Sequence, residues 1–574
     1  MRNEKPPPPI FRTGANWIFY PMCAPSANGT ARRETRRPTT ISPASIMSAR
    51  LVLRHSFAIA LALPLLSAPA VAQSRAAART AAPAVTRPPQ SFFALLREDD
   101  RDVARRFYAK HIDVRGLPVA ASAEVDDAAL QRTYEIVTHM LAGRPDVLQA
   151  MVDDRMYLIV IGKDQVYTDM PEYRNHPNPE FQNERVRGTG GRPTSFGEEN
   201  LLTLPLDRYD DESIAVHEFC HTIDRTLRSV DSTWSARRGA AFRNARARGL
   251  WENAYTGTNP GEYWGEVCQT YFDTQRVNNW NHNFVGTREQ LRDYDPEGYE
   301  LARSAFNLTP ETDWRYRPMR TLPNVTSPPA KLGIDPWYTK FTWAREFTVA
   351  GRGASDEALL RANDVIRKMF AYRHDILKAL ITDGVKLVVL GSDEGIADLP
   401  EYRRLTDKSG IDVLARSHDY TPALKLIVVA QENVLGDPAD PYVGDDQVIR
   451  GFARALYRVT GTRPVDTTTN RGPAQQYELR VTRMDERFDR KLAALHEAAV
   501  EDGKWRGTAA VHDRLEYWTR GVLAYFDAAG QHAAPHDASH PISTREALAA
   551  YDPGLFGLVE ETMAYKGKVD WRLR

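Results

Sequence analysis

The chain has 574 residues, 42% hydrophobic and 26% charged, with 75 lysines and arginines against 75 aspartates and glutamates. That length and balance supply two cores of ordinary size and read as a soluble protein of more than one domain. A formal net charge of zero argues against a nucleic-acid binder, which carries a basic excess or stripe.

In chain order, residues 1–46 are rich in Pro, Arg, Ser and Thr, lack hydrophobic periodicity, and read as a disordered or mis-assigned upstream leader. From Met47 a basic start with Arg50 and Arg54, an apolar run from Ser56 to Leu66 and small residues at Ala70-Val71-Ala72 make a signal peptide over 47–72. Translation is then expected to begin at Met47 and the product to be secreted or periplasmic. An uncleaved anchor is the alternative, but the run is short and broken by Pro64, so no stable membrane span is expected after cleavage. Residues 73–90 form an Ala/Arg/Thr/Pro linker, and structured sequence is expected from near Ser91.

The pattern over 91–316 predicts helices at Ala129–Ala142 and Pro145–Val152 and a strand at Met156–Ile161. A Gly-rich stretch, Gly188-Thr-Gly-Gly-Arg-Pro-Thr-Ser195, reads as a surface loop or a mobile loop beside a cleft. Next comes Ser213-Ile-Ala-Val-His217-Glu218-Phe-Cys-His221-Thr-Ile-Asp224. Residues four apart share a helix face, so His217 and His221 can aim at one metal, with Glu218 beside it as general base. A third ligand is then required. The turn Thr258–Gly261 leads into a helix with Glu262 and Glu266 on one face, which offers Glu262 as that ligand. Glu266, one turn deeper, is expected to accept the outer N–H of a ligand histidine, His217 above all, and fix its tautomer. Cys220 and Cys268 lie on these two helices, and their spacing leaves both a disulfide and two buried thiols open.

These segments resemble the gluzincin zinc metallopeptidases, most closely the catalytic domain of the anthrax lethal factor type. The resemblance rests on His217-Glu218-Phe-Cys-His221, on Tyr255 seven residues before Glu262, and on the Glu262-Tyr-Trp-Gly-Glu266 helix. It implies an α+β, zincin-like fold, one Zn2+ held by His217, His221 and Glu262, Glu218 as base, and Tyr255 as donor to the tetrahedral oxyanion. It also implies that Asn200-Leu-Leu-Thr-Leu-Pro205, followed by Asp210-Asp-Glu-Ser213, is an edge strand leading into the zinc helix.

The pattern then recurs. Asp146-Val-Leu matches Asp375-Ile-Leu, the strand at Leu158 matches that at Leu387, and Asp169-Met-Pro-Glu-Tyr-Arg174 matches Asp398-Leu-Pro-Glu-Tyr-Arg403, all offset by 229. Glu262-Tyr-Trp matches Glu516-Tyr-Trp, and Tyr294-Asp-Pro matches Tyr551-Asp-Pro553. Matches in one order over this length read as a tandem duplication. The expectation is two zincin-like lobes, each a small sheet packed with helices, at 91–316 and 337–574, joined by a Pro-rich linker at 317–336. The second lobe reads as degenerate: Asp445-Asp-Gln-Val-Ile-Arg-Gly-Phe452 has no histidine, Ala509 stands for Tyr255 and Arg520 for Glu266, while Glu516 survives. The lethal factor type also carries a degenerate copy, but N-terminally, so that copy's role is not transferred.

Together these residues predict a zinc metalloendopeptidase acting on a protein or peptide, with the second lobe as docking platform or regulator. Two alternatives stay open: a zinc amide hydrolase with a non-protein substrate, and a non-catalytic two-lobed binding protein.

Overall fold

The computed structural model describes residues 82–460, 488–530 and 542–563, apart from 178, 253, 277–280, 321 and 443. The leader and the signal peptide at 47–72 lie outside the described residues. Order begins earlier than the composition suggests, because the Thr86 and His111 backbones bond to each other at 2.8 and 2.7 Å.

Five strands make the first sheet: β1 Tyr108–Val114, β2 Leu117–Ser122, β3 Leu158–Ile161, β4 Gly188–Thr189 and β5 Thr194–Gly197, in the order β1-β2-β3-β5-β4. The inner pairs β2–β3 and β3–β5 are parallel, and the outer pairs are antiparallel. Parallel strands covered on both faces read as unbroken apolar runs, and Leu158–Ile161 is buried at every position. The pleat sends alternate residues to opposite faces. Val119, Ala121, Leu158 and Val160 enter the main core, while Ala120, Ile159 and Ile161 enter a smaller one with Phe92 and Phe93.

Helix α1, Asp127–Met140, starts at Asp126, whose carboxylate accepts from the Ala128 N–H, and α2, Pro145–Asp153, starts on Pro145. Two further helices carry the predicted motifs: α3, Ile214–Val230, capped by Ser213, and α4, Pro260–Tyr271, capped by Asn259 through the Gly261 and Glu262 N–H groups. The Trp264 indole donates to the Cys220 carbonyl at 2.7 Å and ties α4 to α3.

Two expectations fail here. The Gly-rich stretch is a hairpin, β4 to β5, pinned to α3 by the Gly191 N–H donating to Thr222 Oγ1. Asn200–Pro205 is no edge strand: Asn200 and Leu201 end a short helix, and the rest is turn. The Asn200 amide decides this by donating to Asp207 Oδ2, the Tyr209 carbonyl and the Glu212 carbonyl while accepting from the Ile214 N–H. One side chain so bonded folds the approach to α3 back on itself. The sheet edge falls to β4 instead.

A second sheet repeats the first sheet's pairing: β6 Lys340–Ala344, β7 Phe347–Gly351, β8 Lys386–Leu390 and β9 Leu426–Ala430, with β6–β7 antiparallel and the rest parallel. A single His418–Val428 bridge follows β9 at the edge, as β4 follows β5. Helices α5 Asp356–Met369, α6 His374–Thr382, α7 Gln447–Thr460 and α8 Arg514–Tyr525 pack on it. Individual hydrogen bonds recur as well. Asn433 bonds Asp440, the Asp445 carbonyl and the Gln447 N–H as Asn200 bonds its loop, and the Trp518 indole donates to the Ala453 carbonyl as Trp264 does to Cys220. The fold is thus mixed, with two small sheets and helices around them. Among the described residues no helix is long and apolar enough to cross a membrane.

Candidate metal centre

Helix α3 puts His217 and His221 one turn apart, and the cap at Asn259 sets Glu262 in the first turn of α4 opposite them. His217 Nε2 lies 3.2 Å from Glu262 Oε2 and 3.1 Å from His221 Nε2, and His221 Nε2 lies 3.6 Å from the same carboxylate oxygen. Donor atoms about 2.0–2.1 Å from one tetrahedral centre stand about 3.3–3.4 Å apart. The three separations bracket that edge, so the residues fit a zinc ion. All three side chains are nearly buried, between 8% and 10% exposed.

The tautomer of His217 follows from its neighbours. The Gln269 amide nitrogen donates to Glu212 Oε2 at 2.9 Å and to the Ser213 carbonyl at 3.2 Å, which turns Gln269 Oε1 toward His217 Nδ1 at 2.9 Å. Nδ1 therefore donates, and Nε2 keeps its lone pair for the metal. Electron pairs of two imidazoles and a carboxylate converge here. Burial opposes a charge on His217, but the Glu262 hydrogen bond and the Glu266, Glu262 and Glu218 carboxylates hold its imidazolium well above the ordinary range. Burial likewise opposes charge on Glu262, and His217 and His221 override it, holding that carboxyl far below normal.

Glu266 is not the partner expected of it. Its Oε1 stops 3.6 Å from His217 Nδ1, beyond hydrogen-bond reach, and its other oxygen accepts from the Gln275 amide at 2.8 Å. Gln269, seven residues after Glu262 on the same face, sits deeper and takes the N–H. Glu212, His217 and Glu266 form a second close set of ligating groups, but here Gln269 donates to Glu212 Oε2 and Gln275 to Glu266 Oε2, in a buried hydrogen-bond network.

Glu218 stands outside the ligand triangle, half-buried against β4. A side chain at Gly190 would place its Cβ 2.5 Å from His221 Cβ and 2.8 Å from the Glu218 carbonyl, so only glycine lets the hairpin lie on α3. Tyr255 lies in the turn Tyr255–Gly257 ahead of α4 and is half-buried. Burial, the nearby Glu262 and Glu266 charges and a hydrogen bond to Glu262 raise its phenol well above normal, so it stays protonated. Cys220 and Cys268 are both buried free thiols. They neighbour each other, and burial together with the Cys220 thiol raises Cys268.

Motif reading missed Gln269, Glu212 and Gly265. Gly265 touches the ring of His217: a Cβ there would lie 2.7 Å from its Cε1 and 3.0 Å from both nitrogens. Thr519 follows Glu516-Tyr-Trp518 as Gly265 follows Glu262-Tyr-Trp264, and among the described residues Arg450 and Arg454, not histidines, face Glu516 there. Gly265→Ala is expected to displace the His217 ring and weaken zinc at least about tenfold, a loss of the size seen when ligand support is disturbed. Chelator competition on the folded variant measures it, and an unchanged affinity refutes the contact.

Around α7 and α8 the equivalent ground is held by arginines. The Asn200/Asn433 correspondence sets Arg450 and Arg454 where His217 and His221 stand. Their guanidiniums donate to Glu516 at 3.0–3.2 Å, and Arg520 Nε joins at 3.1 Å. Arg454 also pairs with Asp419 at 2.5 Å, beside the edge bridge at His418. Guanidinium charge thus sits on the carboxylate that corresponds to Glu262. Matching along the sequence does not bring these arginines to Glu516, because they come into register only after an insertion of four residues.

No protein-family model matches the chain, and neither a curated protein nor a solved structure proves similar to it.

Proposed function

We propose that the protein is a zinc metallopeptidase of the gluzincin kind, with its active half at 91–316 and a zincin-like second half at 337–574 that has lost its metal. The observation that carries this reading is the triangle His217 Nε2, His221 Nε2 and Glu262 Oε2, with edges of 3.1–3.6 Å. The recurring sheet pairing and hydrogen bonds support descent of both halves from one unit, and a signal peptide at 47–72 makes the product secreted or periplasmic.

Zinc held by such a set supplies Lewis-acid chemistry, polarising a carbonyl and making water acidic enough to attack near neutral pH. The protein's own groups do the rest. Glu218 takes the proton of the attacking water and hands it to the leaving amine. Tyr255, kept protonated by its surroundings, donates to the carbonyl oxygen as negative charge grows there, where a pre-placed donor counts most. Gln269 and Glu212 hold His217 in the tautomer that faces the metal. Strand β4 is the sheet edge beside Glu218, and an extended peptide pairing with it would bring its backbone to that carboxylate.

The test is zinc per chain in protein purified without chelator, with His217→Ala alongside and hydrolysis of an unfolded protein substrate as second readout. About one zinc per chain, lost in the variant together with hydrolysis, is expected. A wild-type chain that binds no zinc would overturn the proposal; zinc without hydrolysis would leave a binding protein.

A further inference from the structure

The loop that enters α3 is gripped from the second half of the chain. Asp210 Oδ1 accepts from the Arg367 guanidinium at 2.8 Å, and Asp211 Oδ2 lies 3.2 Å from Arg345 Nε. All four side chains are nearly buried, 4–7% exposed. Arg367 is itself held on α5, by Asn363 Oδ1 at 2.7 Å and the Trp343 carbonyl at 2.9 Å. Arg345 occupies the two-residue turn between β6 and β7. Arg367 therefore projects from a helix packed on the second sheet, and Arg345 from the turn that joins its first two strands.

What they grip is the run Asp210-Asp211-Glu212-Ser213. Glu212 accepts from the Gln269 amide that in turn accepts from His217 Nδ1, and Ser213 caps α3. Four consecutive residues thus join two buried interhalf ion pairs to the orientation of a metal-facing histidine. The second half lacks the acidic pair at the corresponding place, Val443-Gly444, so the grip is not a shared feature of the fold.

We propose that the second half is a positioning element for the metal centre: Arg345 and Arg367 hold Asp210 and Asp211, and through Glu212 and Gln269 they set His217. This rests on the reading of His217, His221 and Glu262 as a zinc site. Neither arginine touches the ligands. Their effect belongs to metal affinity, where groups supporting a ligand contribute about 10–100-fold, and the coupling is reciprocal, so zinc must tighten the grip as much as the grip tightens zinc.

Zinc affinity of the full chain is measured by chelator competition for wild type, Arg345→Met, Arg367→Met, the double variant, Arg367→Lys and a control, Arg416→Met. The control breaks a half-buried pair with Glu432 in the second half far along the chain from this loop. About tenfold weaker zinc in each Met variant, more in the double, partial recovery in Arg367→Lys and no change in the control are expected. Equal affinity in wild type and the double variant overturns the positioning role while leaving the zinc site intact; a wild type without zinc overturns the site itself. Should the double variant not fold, amide exchange of the wild type decides. Zinc is expected to slow exchange over 341–351 and 356–369 as well as around α3, and protection confined to α3 and α4 overturns the proposal.

Discussion

Glu218→Gln is expected to bind zinc as the wild type does and to lose hydrolysis by about 10²–10⁴-fold, the range ascribed to a positioned general acid–base group. The reason lies in where Glu218 stands. The ligand atoms belong to His217, His221 and Glu262, so an isosteric amide at 218 removes no ligand. It removes a carboxylate that borders both the metal centre and the edge strand, where Gly190 lies against the Glu218 backbone and carboxylate. Metal content and turnover measured on the same preparation separate the two effects. Retention of more than a tenth of the wild-type rate would take the proton-transfer role away from Glu218, and loss of zinc would make it a structural residue.

Glu516→Gln should produce the largest change in stability. Its side chain is 10% exposed, and its carboxylate receives Arg450, Arg454 and Arg520. Removing one member of a buried charge cluster leaves the others uncompensated, at a cost of about 3–5 kcal/mol. Arg450 keeps its side chain 21% exposed, and water there favours the lower end of that range. Urea midpoints compare the two proteins. A pH dependence follows from the same contacts. Burial pushes the Glu516 carboxyl up, but Arg450, Arg520 and Arg454 outweigh burial and hold it below its ordinary 4.5 in the folded protein. A depressed folded pKa means that this stabilisation is complete above about pH 4.5 and fades as pH falls below it toward the folded value. The gap between wild type and variant should therefore be full at pH 7 and shrink in acid; a midpoint unchanged at pH 7 would show the cluster to be energetically neutral.

Much of the candidate centre is local in sequence. The i, i+4 spacing of His217 and His221 and the Asn259-Pro260 start that places Glu262 on the first turn of its helix are set within one or two helical turns. The recurrence of Asp146, Leu158 and Glu262 patterns at later positions is likewise legible without coordinates, and so is the loss of histidine from Asp445–Phe452. Apolar runs such as Leu158–Ile161 announce covered strands, because a strand packed on both faces has no polar side to alternate with.

Only tertiary packing decided the rest. Gln269 takes the His217 N–H in place of Glu266 because the depth of that nitrogen depends on how closely α3 and α4 approach, and Gly265 permits that approach by presenting no side chain to the imidazole. The Gly-rich stretch became an edge hairpin, and Asn200–Pro205 did not, because hydrogen bonds from Asn200 to residues seven to fourteen positions away outweigh local strand propensity. Arg450 and Arg454 come to the positions that correspond to His217 and His221 only once three-dimensional register corrects for inserted residues. Periodicity along the chain reports which residues share a face; what that face meets is a long-range contact, and there the sequence by itself is silent.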